Sequence, residues 1–238
     1  MKFIITVLLL LILSLCIWSG FKKGIIRGIA SLAAIVIALS GANAFATRVA
    51  PELISALRPF LGGYVDSETT TAAVLTNLGY GGTELSLTDI LEQDTSLRYD
   101  YAYEVIHSAG FYSAVSEDLA NDAVVYSAQK QITITEAVTT VLCNSVAYVG
   151  CFAIAFCMLV ILLVAFIDML NLDFHIKNVS SVDEIAGAAL GLIRGFTYCV
   201  LICWFLGFLG IVIGKNTCES SALISFFQVF RFLTKSLL

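Results

Sequence analysis

The chain has 238 residues, of which 59% are hydrophobic and 13% are charged. Soluble domains carry about 25% charged residues, so this composition excludes an ordinary soluble globule and predicts a membrane protein. The formal net charge of -5 argues against a nucleic-acid partner, because such partners require a basic face.

Four apolar segments are long enough to cross a membrane: 3–19 and 29–46 early in the chain, 146–167 and 195–214 late. Each has roughly the 17–25 residues that a spanning helix needs, and helices satisfy their own backbone hydrogen bonds in lipid. The short connection between the first two predicts a helical hairpin, and the last two form a second. We therefore predict an all-α integral membrane protein with four transmembrane helices arranged as two hairpins.

The first segment could alternatively be a signal peptide that starts at Lys2. No small-x-small cleavage site follows Ser19, and another span comes at once. We interpret residues 1–17 as a retained membrane anchor.

The segment between the hairpins, residues 47–145, contains 13 acidic and four basic residues, a net charge of -9. Apolar residues at helical spacing follow Pro51, a residue suited to the first turn of a helix. Short helices are predicted at 86–93 and 116–128. A further helix is predicted to begin at Thr133, because a glutamate three residues later completes a capping box. We predict a small, acidic, mainly helical insert on one membrane face.

The end of the chain has an amphipathic pattern that predicts a helix lying in the membrane interface or docked on the bundle. Its apolar stripe consists of Leu223, Phe226, Phe227, Phe230, Leu233 and Leu237. The predicted organisation is a transmembrane hairpin at 1–46, the insert at 47–145, a second transmembrane hairpin at 146–214 and the tail at 215–238.

A nine-residue repeat is the strongest internal pattern. Residues 20–28 read Gly-Phe-Lys-Lys-Gly-Ile-Ile-Arg-Gly, and residues 187–195 read Gly-Ala-Ala-Leu-Gly-Leu-Ile-Arg-Gly. Glycines four residues apart stack on one helix face, where a partner backbone can approach closely. The predicted packing residues are Gly20, Gly24, Gly28, Gly187, Gly191 and Gly195.

Both copies of the repeat open the second helix of a hairpin, so the two halves are expected to have like orientation about an axis along the membrane normal. The alternative is that small and basic residues simply favour helix ends.

Arg27 and Arg194 occupy the same position of the repeat. Two roles are open: the side chain can snorkel to the interface, or it can face inward and bind an acid or an anionic headgroup. We expect Arg27 to snorkel and Arg194, deeper in its helix, to pair with Asp168. Asp183 and Glu184 are further candidate acid partners.

Lys22, Lys23 and Arg27 lie in a short connection, where the positive-inside rule has most weight. The hairpin turns are therefore expected in the cytoplasm and the insert outside, with Cys143 and Cys218 near the outer face; a disulfide between these two is an open alternative. The basic residues that favour the opposite orientation are Lys2, Arg48, Lys130 and Lys215.

The sequence has none of the usual enzyme motifs. His107 and His175 belong to no metal-ligand spacing, and no Gly-x-Ser-x-Gly, P-loop or dinucleotide fingerprint occurs. We predict that the protein is not an enzyme and has no catalytic, cofactor-binding or metal-binding residues.

The sequence stretches 20–28 and 182–195 have comparable positions: the first follows the first predicted span, and the second begins the last. Together they resemble the CvpA family of bacterial inner-membrane proteins, named for colicin V production. The resemblance covers the two hairpins and departs at the insert and the tail. It implies a role in toxin production or export and in envelope upkeep, and it supplies no catalytic residues.

The expected function is therefore that of a non-enzymatic, multi-pass protein of the bacterial inner membrane that supports colicin V-like toxin (bacteriocin) production or export and envelope homeostasis. Its expected partners are the lipid bilayer and further copies of itself or other envelope proteins. The alternative is an oligomeric channel or small-solute transporter, against which the spans hold almost no ionisable residue deep in the membrane.

Overall fold

The computed structural model describes residues 2–69, 91, 97–170 and 180–208. Within these ranges the chain is helical and contains no strand, which confirms the all-α prediction. The helices are α1 (Lys2–Thr69), α2 (Leu97–Ser108), α3 (Ser113–Lys130), α4 (Ile134–Met169) and α5 (Ser180–Phe208).

Three stretches of these helices are long and apolar enough to cross a membrane: Phe3–Ser67, Ile134–Met169 and Asp183–Phe208. Many of their large apolar side chains face outward; Phe3 is 80% exposed and Ile161 is 70% exposed. In water such a surface would be unfavourable, whereas lipid solvates it. The helices are those of a multi-pass membrane protein.

α1 is interrupted at Gly24, whose backbone angles are φ 71° and ψ -179°. This residue separates a section at 2–23 from a second section at 25–69. The second section passes through Pro51 and Pro59 without ending. The prediction that a helix begins at Pro51 is therefore wrong: proline removes one backbone hydrogen bond, and a long apolar helix tolerates that loss.

The described residues fall into two compact units, which we call the membrane unit (2–48 and 150–206) and the acidic unit (49–149 and 207–208). α1 and α4 each contribute residues to both. The longer stretch of the acidic unit is 49–149, whereas the insert was predicted at 47–145; residues 207–208, which the prediction assigned to the second hairpin, also belong to this unit.

In the membrane unit, α5 runs antiparallel to residues 2–23 of α1. Leu9 packs against Cys199 and Cys203, while Gly20, eleven residues later, lies against Gly187. Later residues of α1 thus contact earlier residues of α5, as expected for antiparallel helices. The two helices are in contact over most of the length of this section.

α5 is also antiparallel to α4 within this unit. The Phe152 ring packs edge-on against Trp204, with ring centroids 5.5 Å apart, and Phe156 packs against Tyr198 at 6.4 Å.

Residues 25–48 of α1 contact α4. A methyl group of Leu159 lies over Gly41, and Arg27 reaches Asp168. These contacts also follow antiparallel order. Small residues at four-residue spacing permit the packing and are buried at Ala34, Ala38, Ala42 and Ala46.

The acidic unit has a core of its own, in which Tyr101, Phe111 and Leu142 are completely buried. The Tyr101 hydroxyl lies 3.4 Å from Thr135 Oγ1. Burial raises the pKa of Tyr101 to about 12. On the surface of this unit, Arg58 donates to Glu136 at 3.0 Å.

Two helix predictions in this unit are confirmed. The helix predicted at 116–128 is present as α3, and the helix predicted from Thr133 is α4, where Glu136 N donates to Thr133 Oγ1 at 3.3 Å. The helix predicted at 86–93, apart from Leu91, and the tail at 215–238 lie outside the described residues, as does Cys218. Cys143 carries a free, buried thiol.

Candidate functional site

The two copies of the repeat meet at the contact between α1 and α5. A Cβ atom added to Gly20 would overlap the carbonyl oxygen of Gly187, and one added to Gly191 would overlap the carbonyl oxygen of Cys16. The backbones therefore touch directly, which only glycine permits at these positions. We call the contact of Cys16, Gly20 and Gly24 with Gly187 and Gly191 the glycine seam.

The third glycine of each copy lies at the edge of the seam. A Cβ on Gly28 would meet Leu190 Cδ1 at 2.8 Å, and one on Gly195 would meet Cys16 Cβ at 3.0 Å. Leu190 Cδ1 is the end of a side chain and can shift, whereas Cys16 Cβ moves only with its backbone. Both contacts are longer than the backbone overlaps at Gly20 and Gly191, so the third glycines are under less steric constraint.

The middle glycine of the first copy does not stack on a helix face as expected. Gly24 has a positive φ and ends the helical path, so its copy is divided between two sections of α1. Positive φ combined with extended ψ is a region that essentially only glycine occupies. In the second copy, Gly187, Gly191 and Gly195 all lie within α5.

A carboxylate from α5 accepts a hydrogen bond from the first amide after the break. Ile25 N donates to Asp183 Oδ1 at 2.8 Å, and Asp183 is only 4% exposed. The first amide groups of a new helical section lack intrahelical acceptors and carry partial positive charge. Asp183 supplies both an acceptor and a negative charge at this point, and so acts as an N-cap contributed by a different helix.

Asp183 was expected from the sequence to be an arginine partner, and its capping role was missed. No local pattern reveals the role, because the capped amide lies 158 residues away in the chain.

The ion pair of the site joins Arg27 and Asp168 through Arg27 Nη2 and Asp168 Oδ1. The expected pairing of Asp168 with Arg194 is therefore wrong. Residues 25–48 of α1 pack on α4, so Arg27 reaches the end of α4 where Asp168 lies. The side chain of Arg27 is 15% exposed, which differs from the snorkelling expected for it.

Next to the seam lies a small cleft. We call it the basic cleft, because it is lined by Lys23, Arg27 and Arg194. Arg194 Nε is buried and has no hydrogen-bond partner among the described residues. The rest of the lining is Ser19, Gly20, Gly28, Ser31 and Gly191.

One sequence signal could have revealed this cleft. Polar residues recur every four positions at Ser19, Lys23, Arg27 and Ser31. The first three each directly precede a glycine of the first copy, and the fourth lies three residues after its last glycine. Considered singly, the two arginines do not reveal this stripe of polar residues.

Neither histidine belongs to the glycine seam as defined. His107 stacks on Tyr103 in the acidic unit, with ring centroids 5.4 Å apart, and His175 lies outside the described residues. Among those residues, no three or more His, Cys, Asp or Glu side chains are grouped so that they could hold a metal ion.

Comparisons of the chain with protein-family models, with curated proteins and with solved structures find no match.

Proposed function

We propose that this chain is a non-enzymatic integral membrane protein that supports peptide-toxin production or export and the upkeep of a bacterial envelope. The glycine seam carries this proposal. The two sequence stretches that resemble the CvpA family pack against each other in this seam, where Gly20, Gly187 and Gly191 are in backbone contact. Such a seam builds a fixed helical frame rather than a reaction site.

The architecture we propose is four spans in two hairpins. Residues 2–23 and the residues that follow Gly24 are divided by the break, and 22 residues extend about 33 Å, enough to cross a hydrocarbon core. The antiparallel order of contacts supports a reversal of the chain at Gly24. Residues 2–23 oppose α5, α5 opposes α4, and residues 25–48 oppose α4.

The proposed location is the bacterial inner membrane, with the acidic unit outside. Lys22 and Lys23 next to the break favour a cytoplasmic position for that end. Cysteine probes at Ser67, at Asn121 and at Lys22 test the orientation, since all three residues are exposed. In whole cells, an impermeant thiol reagent is expected to label the first two; labelling at Lys22 alone would reverse the orientation.

The functional test is deletion of the gene in a toxin-producing host. We expect less antibacterial activity in the medium and poorer survival in detergent, both restored by the wild-type gene and by Gly150→Ala, a residue with open space around its Cα. Gly20→Ala is expected not to restore them. Unchanged export and unchanged survival after deletion would contradict the proposal.

The channel or transporter alternative is tested with purified protein in liposomes. Our proposal predicts no solute flux above that of empty liposomes. A flux that depends on the protein and disappears in the Gly20→Ala variant would favour the alternative, because glycine seams also allow oligomers to form.

A further inference from the structure

We propose that the basic cleft binds a phosphate-type oxyanion, with the headgroup of an anionic phospholipid as the natural source. This inference goes beyond the proposed function and rests only on the two-hairpin architecture proposed with it. The cleft brings together the ammonium of Lys23 and the guanidinium groups of Arg27 and Arg194. Guanidinium groups bind phosphate oxygens through paired, charge-assisted hydrogen bonds.

Arg194 has a hydrogen-bond donor without an acceptor among the described residues. This donor is its Nε, which is buried. Burying an N–H group of a charged side chain without an acceptor is unfavourable. An arginine that only snorkels would extend this group to the membrane surface, so the buried Nε indicates an acceptor that occupies the cleft.

The cationic groups that line the cleft outnumber the acids that contact them. Lys23, Arg27 and Arg194 contribute three positive charges. Asp168 pairs with Arg27, whereas the carboxylate of Asp183 lies outside the lining and accepts the Ile25 amide. The cleft therefore has an excess of positive charge, which the negative charge of a phosphodiester would offset. The neighbouring Lys22 lies over the Trp18 ring, 5.4 Å from its centroid, and does not line the cleft.

Beyond the three cations, the lining offers few hydrogen-bond donors. The Ser31 hydroxyl donates to Gly28 O at 2.8 Å, so the donors offered to the ligand are those of the cationic groups and of Ser19.

The position of the cleft indicates the source of the oxyanion. The cleft lies beside the break at Gly24, between two apolar sections of α1 and therefore at the level where phospholipid headgroups lie. A lipid phosphodiester is at high local concentration there, whereas free phosphate has to come from solution.

Native mass spectrometry of the full-length protein in detergent tests the proposal. The probes are phosphatidylglycerol, diacylglycerol with the same acyl chains, and inorganic phosphate. We expect wild-type protein to retain phosphatidylglycerol at least tenfold more tightly than diacylglycerol. Arg194→Gln is expected to lower this affinity at least tenfold and Arg194→Lys to lower it less. The control is Arg58→Gln in the acidic unit, where the arginine side chain is 56% exposed.

A substitute variant and a displacement experiment complete the test. If Arg194→Gln does not fold, Lys23→Gln replaces it, because Lys23 is half-buried and outside the seam contacts. Displacement of phosphatidylglycerol by millimolar inorganic phosphate would assign the cleft to a soluble oxyanion, and failure to displace it assigns the cleft to lipid. Equal retention of phosphatidylglycerol by wild type and by the folded cleft variants would overturn the proposal.

Discussion

The two copies of the glycine–arginine repeat share their three glycines, an isoleucine and an arginine, yet their backbones differ. Residues 187–195 lie within one continuous helix, whereas residues 20–28 are divided at Gly24. Between the first and second glycines, the first copy has Phe-Lys-Lys and the second has Ala-Ala-Leu. Glycine permits both backbones, so its spacing alone does not determine which one forms.

The surroundings of the middle glycine account for the difference. Gly24 faces the carboxylate of Asp183, which accepts the next amide in the chain. Gly191 instead packs against the backbone of Cys16. A break in a helix is stable where an acceptor for the freed amide is at hand, and only the first copy has one among the contacts described above.

The largest effect is expected where backbone meets backbone. Gly20→Ala and Gly191→Ala each force apart two main chains that cannot shift alone, and each is expected to lower the free energy of unfolding by about 3 kcal/mol. The measurement is thermal or denaturant unfolding in detergent, followed by circular dichroism. Gly150→Ala is the control, because nothing lies within 4 Å of its added Cβ. Stability of Gly20→Ala equal to that of the control would disprove the close seam.

A smaller loss, about 2 kcal/mol, is expected for Gly24→Ala, because alanine is strained at φ 71° and ψ -179°. Its Cβ would also lie 2.6 Å from Asp183 Oδ2, a side-chain atom that can move. Gly63→Ala in the second section of α1 has open space and is expected to be neutral or slightly stabilising. If Gly24→Ala behaved like Gly63→Ala, the first copy would be as helical as the second.

The cap at the break is tested by two changes to the same side chain. Asp183→Asn keeps an oxygen acceptor for Ile25 N, whereas Asp183→Ala removes it, so the alanine variant is expected to be about 1 kcal/mol less stable than the asparagine variant. Hydrogen exchange of the Ile25 amide is the direct readout and should be faster in Asp183→Ala. Equal exchange rates in the two variants would show that the carboxylate does not cap the section.

The smallest effect is expected at the third glycines, where the two copies should behave alike. Gly28→Ala meets Leu190 Cδ1, which can shift, and Gly195→Ala meets Cys16 Cβ at 3.0 Å, a contact that a shift of a few tenths of an ångström relieves. Each is therefore expected to cost below about 1 kcal/mol. The same unfolding assay checks this. A loss at either position as large as that of Gly20→Ala would mean that the seam extends over the whole repeat.

Features set by nearby residues could be predicted from the sequence. Composition indicated a membrane protein, helical spacing indicated α3, and the capping box at Thr133 located the start of α4. Each depends on residues within a few turns of one another.

Features set by distant residues could not be predicted. The positive φ of Gly24 depends on Asp183, and the partner of Asp168 depends on which section of α1 packs beside α4. Pro51 was misassigned because local preference favours a helix start there, while the apolar length of α1 carries the helix through it. The basic cleft needed three cations from two helices to be considered together.

The cap at Gly24 also has a consequence for biogenesis. Ile25 and Asp183 are 158 residues apart. At ribosomal rates of about 5–20 residues per second, Asp183 is therefore synthesised about 8–30 s after Ile25, whose amide donates to it. During this interval the first section of α1 lacks its packing partner, and α5 does not yet cover the carbonyl groups of Cys16 and Gly20. Closure of the seam is therefore a late step of insertion, and a chain that stops before Asp183 leaves the turn uncapped.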